Sequence, residues 1–220
     1  MNYIPTVLIT TGLAASLGFD SGLYTQNSRN DGFEQLVIDR SEEITYEEIR
    51  LEAIQNCKNI HPEDVNTELI DQLIEVEKSF NVPSDVRGML LAAACSESGY
   101  NPYAKGDYKF SKSGKKPMAI GLLQLWKWWE STSNGYGVDR TDPIASSKAW
   151  MTHIVKKIPK VKRTCKFKSD KAVWVAAWVT AIRKPKKGGR CWEKPLHYKI
   201  LRKWHKKIHK DRSQQVESGC

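Results

Sequence analysis

No apolar run in this 220-residue chain is long enough to cross a membrane as a helix. The longest uncharged apolar stretch, residues 4–19, falls short of the ~20 residues that a span needs. A mean hydropathy of -0.54 excludes a polytopic membrane protein, and eight tryptophans exclude a wholly disordered chain. The five cysteines form no CxxC and no pair spaced with histidine, which counts against zinc. Nor is there a Lys or Arg ahead of the apolar stretch, since the chain opens Met1-Asn2-Tyr3. Residues 4–19, with small residues from Gly12 to Ser16, therefore match the middle of a secretory signal but not its basic start. Two readings stay open for them, an export signal or anchor and a buried capping segment.

What is present in excess is positive charge, unevenly placed. The net charge is +10 and the pI about 9.3. Asp31 to Phe80 carry 14 acids against 4 bases, while residues 148–212 carry 22 bases against 3 acids. The basic surplus points to an anionic partner: nucleic acid, acidic membrane or bacterial wall polymer. An acidic front and a basic back predict either two lobes or an arm folded against its own domain. Cys165 and Cys191 are candidates for a bridge in an oxidising compartment, with free thiols as the alternative. Cys95 reads as a small helix-packing residue, because no histidine has the spacing to activate it.

Residues 20–32 are rich in Gly, Ser, Asn and Asp and read as linker. The organisation expected is residues 1–30 as apolar segment and linker, 31–66 as an acidic helical arm, 67–212 as the main domain and 213–220 as a tail. From Thr67, a plausible cap, Leu69, Ile70, Leu73, Ile74 and Val76 form a helical stripe ending near Phe80, with Asn81 suited to the position after the helix. Pro83-Ser84-Asp85 restarts a helix. Its apolar face holds Leu90, Ala93 and Ala94, and then Glu97 on the same face at the last turn, before Gly99 and Pro102 stop it. A glutamate so placed is ordinarily a solvated helix end.

The words around it change that reading. Glu97-Ser98-Gly99-Tyr100-Asn101-Pro102, then Ala119-Ile120-Gly121-Leu122-Leu123-Gln124, then Asp142-Pro143 opening another helix, resemble the soluble lytic transglycosylase domain of the lysozyme-like superfamily. The similarity runs from about Thr67 to about Trp204. It implies a mainly α, lysozyme-like helical domain with a substrate groove, located in the periplasm, secreted, or associated with a phage. The implied activity is cleavage of the β-1,4 bond between N-acetylmuramic acid and N-acetylglucosamine in peptidoglycan, closing a 1,6-anhydro ring, with no cofactor or metal. Glu97 is then the acid and base, and Ser98, Tyr100, Gly121, Leu122, Gln124 and Trp178 contact the saccharide. An acid in this role must hold its proton near neutral pH, which an apolar setting favours, and Leu90, Ala93 and Ala94 suit it.

Two departures accompany the resemblance. A Lys, Gly and Ser rich insertion, KGDYKFSKSGKKPM, separates the two motifs, as a lid, a wall contact or a solvated loop. The later Ala-Tyr-Asn of the family is matched here by Ala177-Trp178-Val179, so its aromatic hydroxyl and its amide are missing; Thr180 is the candidate to compensate. Trp174 and Trp178 also have the i,i+4 spacing of core residues, and one or two of the eight tryptophans are expected to touch ligand. Asp107, Glu130, Asp139 and Asp142 are candidates for a second carboxylate, which would make the protein a hydrolytic, goose-type-like lysozyme. A non-catalytic peptidoglycan-binding protein with the same fold is the rival from another class. The basic clusters from Lys156 to Lys210 suit anionic wall polymers or a solvated face, ahead of nucleic acid. Residues 196–209 read as an amphipathic closing helix.

Overall fold

A computed structural model describes residues 43–182 and 191–218, so the readings of residues 1–30 lie outside the described residues. The protein is mainly α-helical: α1 is Tyr46–Gln55, α2 Thr67–Lys78, α3 Met89–Ser98, α4 Pro143–Cys165, α5 Asp170–Ile182 and α6 Tyr198–Ser218. Between α3 and α4 the chain forms three two-residue strands, β1 (Lys105–Gly106), β2 (Ala119–Ile120) and β3 (Leu125–Trp126), paired antiparallel in the order β1-β2-β3. Lys105 faces Ile120 and Ala119 faces Trp126 in the register. Among the described residues no helix is long and apolar enough to cross a membrane.

The core is built around α3. Its residues Met89 to Cys95 are all buried, so it is apolar on every side, as a central helix must be. The α2 stripe expected from the sequence is buried against it: Leu69, Ile70, Leu73, Ile74 and Val76. Asn66, not Thr67, caps that helix, its side chain accepting from the Leu69 N–H at 3.1 Å. Asn81 takes the left-handed conformation expected after the helix, with φ of 50°.

The restart at Pro83 is shorter than the sequence suggests. Ser84–Val86 makes one 3₁₀ turn, then Gly88 adopts φ of 89° and α3 begins at Met89. A side chain at Gly88 would collide with Ile49, its Cβ lying 2.7 Å from that residue's Cγ2. Gly88 also has no side chain to cap α3, and Glu77 supplies the cap from α2. Its carboxylate accepts from the Gly88 N–H at 2.5 Å and the Leu90 N–H at 2.7 Å. These orphan donors of a buried helix start are thereby satisfied.

Residues 46–55 do not stand apart from the main domain. Ile49 and Ala53 are fully buried, and α1 packs on α2, α3 and α6, so the expected boundary at 66/67 falls inside one compact unit. The amphipathic pattern of α1 is weak, which is why its burial could not be read from spacing. The charge asymmetry has the second of its two expected explanations. Acidic α1 sits on basic α6, with Glu52 2.9 Å from Lys207 and Glu48 2.6 Å from Arg212. The expected tail is helical as far as Ser218, as a continuation of α6, whose Leu201, Trp204 and Ile208 are buried. Two disulfides join Cys57 to Cys95 and Cys165 to Cys191.

Candidate active site

Gly99, with φ of 60°, ends α3 two residues after Glu97, as the sequence suggests. The Glu97 side chain is 28% exposed and lines a cavity of about 690 Å³. One wall is α3 (Ala93, Glu97). The hairpin and the turn after it contribute Asp107, Gln124, Trp126 and Trp128. The other walls are α4, through Trp150, His153, Lys157 and Lys160, and the end of α5, through Thr180 and Ile182.

The nearest polar neighbour of Glu97 comes from far along the chain. His197, buried just ahead of α6, places Nε2 2.5 Å from Glu97 Oε1. Its Nδ1 has no hydrogen-bond partner among the described residues, so Nε2 is the ring's working donor. Trp178 lies behind it, with ring centroids 6.0 Å apart, and packs edge-on against Trp150. His197 was not singled out by the sequence motifs.

The residues expected at the site separate into those on the cavity and those behind it. Glu97 and Gln124 line it. Gln124 stands at φ of 46° and its Nε2 donates to Gly121 O at 2.9 Å and Ala104 O at 3.1 Å, so the side chain also braces the β2–β3 turn. Ser98 does not reach the cavity lining. Its hydroxyl donates to Leu122 O at 2.8 Å and ties the end of α3 to that turn. Gly121 is a packing residue: at φ of 86°, a Cβ there would lie 1.8 Å from Arg140 O. Leu122 is fully buried.

Tyr100 is not a groove residue. It is buried, and its hydroxyl donates to Ala53 O of α1 at 3.4 Å. Trp178 is likewise no saccharide contact, being wholly buried. Its i,i+4 relation to Trp174 predicts the core position it occupies. Thr180 lines the cavity, but its hydroxyl is engaged with Ala177 O at 2.6 Å. Val179 is buried.

Of the four candidates for a second carboxylate, only Asp107 lines the cavity. It accepts from the Trp126 indole N–H at 3.0 Å. Glu130 pairs with Arg140, Asp139 accepts from Thr141, and Asp142 caps α4 as its place before Pro143 suggests. Of the eight tryptophans, Trp126 and Trp128 both line the cavity and keep exposed faces, 38% and 41%.

His153 on α4 is locked between two elements. Its Nε2 meets Thr180 O at 3.2 Å and its Nδ1 the Tyr136 hydroxyl at 3.1 Å, which fits a neutral ring donating from Nε2 and accepting at Nδ1. Burial first, then the ammonium of Lys157, bring its pKa down to about 4. No family model, curated protein or solved structure matches the chain.

Proposed function

We propose that the protein is a peptidoglycan lytic transglycosylase with a lysozyme-like fold, in which Glu97 is the sole acid and base. The observation that carries the reading is the placement of Glu97: a carboxyl at a helix terminus, on a cavity of about 690 Å³, with one oxygen held by a buried histidine. His197 Nε2–H donates to Oε1, which leaves Oε2 to carry the proton that the reaction needs.

Glu97 protonates the glycosidic oxygen as the bond to N-acetylmuramic acid C1 breaks. The substrate's own N-acetyl oxygen stabilises the positive ring. Glu97, now a carboxylate, takes the proton of the C6 hydroxyl as that oxygen closes on C1, so the carboxyl ends as it began and no water is added. Gln124 and the exposed faces of Trp126 and Trp128 hold the strand across this point. The two disulfides suit a protein that folds in an oxidising compartment, where the wall polymer lies.

Hydrolysis is the second reading, and Asp107 on the cavity favours it. A water held by a second carboxylate would intercept the ring before C6 does. The deciding experiment is the mass of fragments released from purified sacculi. Anhydro ends weigh one water less than reducing ends, and Glu97→Gln must abolish release while leaving the fold intact. Undiminished release by that variant removes the mechanism.

A further inference from the structure

The last helix carries two sets of cations, and only one set is neutralised. Lys207 and Arg212 turn toward α1, where Glu52 and Glu48 pair with them. Lys199, Arg202, Lys203, Lys206 and Lys210 recur at three- and four-residue spacing on the face opposite the buried Leu201, Trp204 and Ile208. All five are exposed, and among the described residues none has an ion pair. No acid occurs between Lys199 and Lys210, so the outer face is an uninterrupted positive stripe about 16 Å long.

The head of this stripe is apolar. Trp192 and Leu196, 83% and 67% exposed, are two of the three most exposed large apolar side chains among the described residues. The Lys199 N–H donates to Leu196 O at 3.0 Å, so Leu196 stands one three-residue turn ahead of Lys199 and over the same face. His197, the next residue, turns inward to Glu97. Trp192 follows Cys191, which its disulfide ties to the end of α4, so the indole is carried on an anchored segment. A partner that takes both side chains out of water gains from each.

We propose that the outer face of α6, headed by Trp192 and Leu196, docks on an anionic phospholipid bilayer. The pairing of charge with apolar side chains selects this partner. A phosphate polymer answers the lysines and offers Leu196 nothing; a nucleic acid can stack on Trp192 but also leaves Leu196 in water. A bilayer surface serves both, because its phosphates meet the cations while the indole and the leucyl group enter the headgroup boundary. The apolar face of α6 is buried in the domain, so the helix lies on the lipid and only these two side chains enter it. The docking is independent of the chemistry at Glu97. Because Leu196 and His197 are consecutive, it holds the cavity close to the bilayer surface.

The test is sedimentation of the full chain with vesicles of phosphatidylcholine alone, and of phosphatidylcholine and phosphatidylglycerol in equal parts. The anionic vesicles bind about 100-fold or more tighter, the product of several cations at about fivefold each, and the preference shrinks as salt is raised. Lys199→Gln/Lys203→Gln/Lys206→Gln loses about 100-fold of that affinity. Lys112→Gln/Lys115→Gln/Lys116→Gln takes the same charge from the exposed insertion and changes it by about twofold or less. Trp192→Ser/Leu196→Ser weakens it by about tenfold or more, with net charge and melting temperature unchanged. Glu97→Gln binds as the unsubstituted chain does.

Absence of binding, or equal binding to neutral and anionic vesicles, overturns the proposal. So does a preference that survives loss of the α6 lysines or disappears with the insertion lysines. A Trp192→Ser/Leu196→Ser variant that binds as before also overturns it: such a face reads charge alone, and competition by polyphosphate or by duplex DNA then identifies its partner. Purified sacculi contain no bilayer, so fragment release from them tests the glycan-cleaving reading separately from the docking.

Discussion

His197 Nε2 and Glu97 Oε1 are 2.5 Å apart, although a hundred positions separate the residues in the chain. The histidine side chain is 5% exposed and the glutamate 28%, so the donor is anchored in the interior and the acceptor faces the cavity. In the family that the motifs resemble, an aromatic hydroxyl on a later helix orients the acid. Trp178, at the matching position, has no such group and faces the core. His197 supplies a donor from a different element.

The first prediction concerns that donor. His197→Phe keeps most of the buried volume and removes the hydrogen bond. We expect kcat to fall about 100-fold, the scale of a misplaced catalytic group, with KM changed by about twofold or less. His197→Gln, which retains an N–H donor, recovers a large part of the loss. A purely structural role predicts instead that activity tracks the melting temperature across both variants.

Glu77 gives a prediction about stability. Replacing it with Ala leaves the N–H groups of Gly88 and Leu90 unpaired in the interior, at a cost of about 2–4 kcal/mol in urea unfolding. The same residue sets a pH dependence. Burial raises its carboxyl to about 7, against the lowering effect of those two N–H donors. An acid with a raised folded value stabilises most below its unfolded value, near 4.5, and that contribution is lost as the pH climbs to about 7. Glu77→Gln therefore removes a decline in melting temperature over that window.

His153 acts in the opposite direction. Its depressed value makes its contribution complete above about 6.5 and lost as the pH falls toward about 4. In a melting series at low pH, His153→Asn loses this acid limb. An acid limb that persists unchanged in the variant would show that other groups set it.

The Cys57–Cys95 disulfide joins residues 38 positions apart, and its second cysteine lies two residues before Glu97. Cys57→Ser/Cys95→Ser should lower unfolding stability by about 3–4 kcal/mol, the chain-entropy value for a loop of this length. Unfolding of the variant with and without reductant then isolates the contribution of Cys165–Cys191.

Much of the site helix was legible in the sequence because its signals are local. The apolar face of Leu90, Ala93 and Ala94 and the stop at Gly99 each follow from a few adjacent residues, as does the cap of α4 at Asp142. Tyr100 was misplaced because motif position says which residue follows the acid, not which way its ring turns; it turns inward to α1. His197 was hidden for a different reason. Leu201, Trp204 and Ile208 mark the buried face of α6, and stepping back four from Leu201 reaches His197. The amphipathic pattern of residues 196–209 was readable, but helical spacing does not say which residue of its buried face meets Glu97. The helical character of residues 46–55 was visible, whereas their packing depends on contacts with α6 more than a hundred residues later.

Glu97's donor and the cations seated against α1 all come from residue 197 onward. During synthesis, then, the acid's helix emerges long before the groups that hold its carboxyl in place. A ribosome still translating α5 has already released a complete α3 and hairpin, but the Glu97–His197 pair is assembled only when α6 docks.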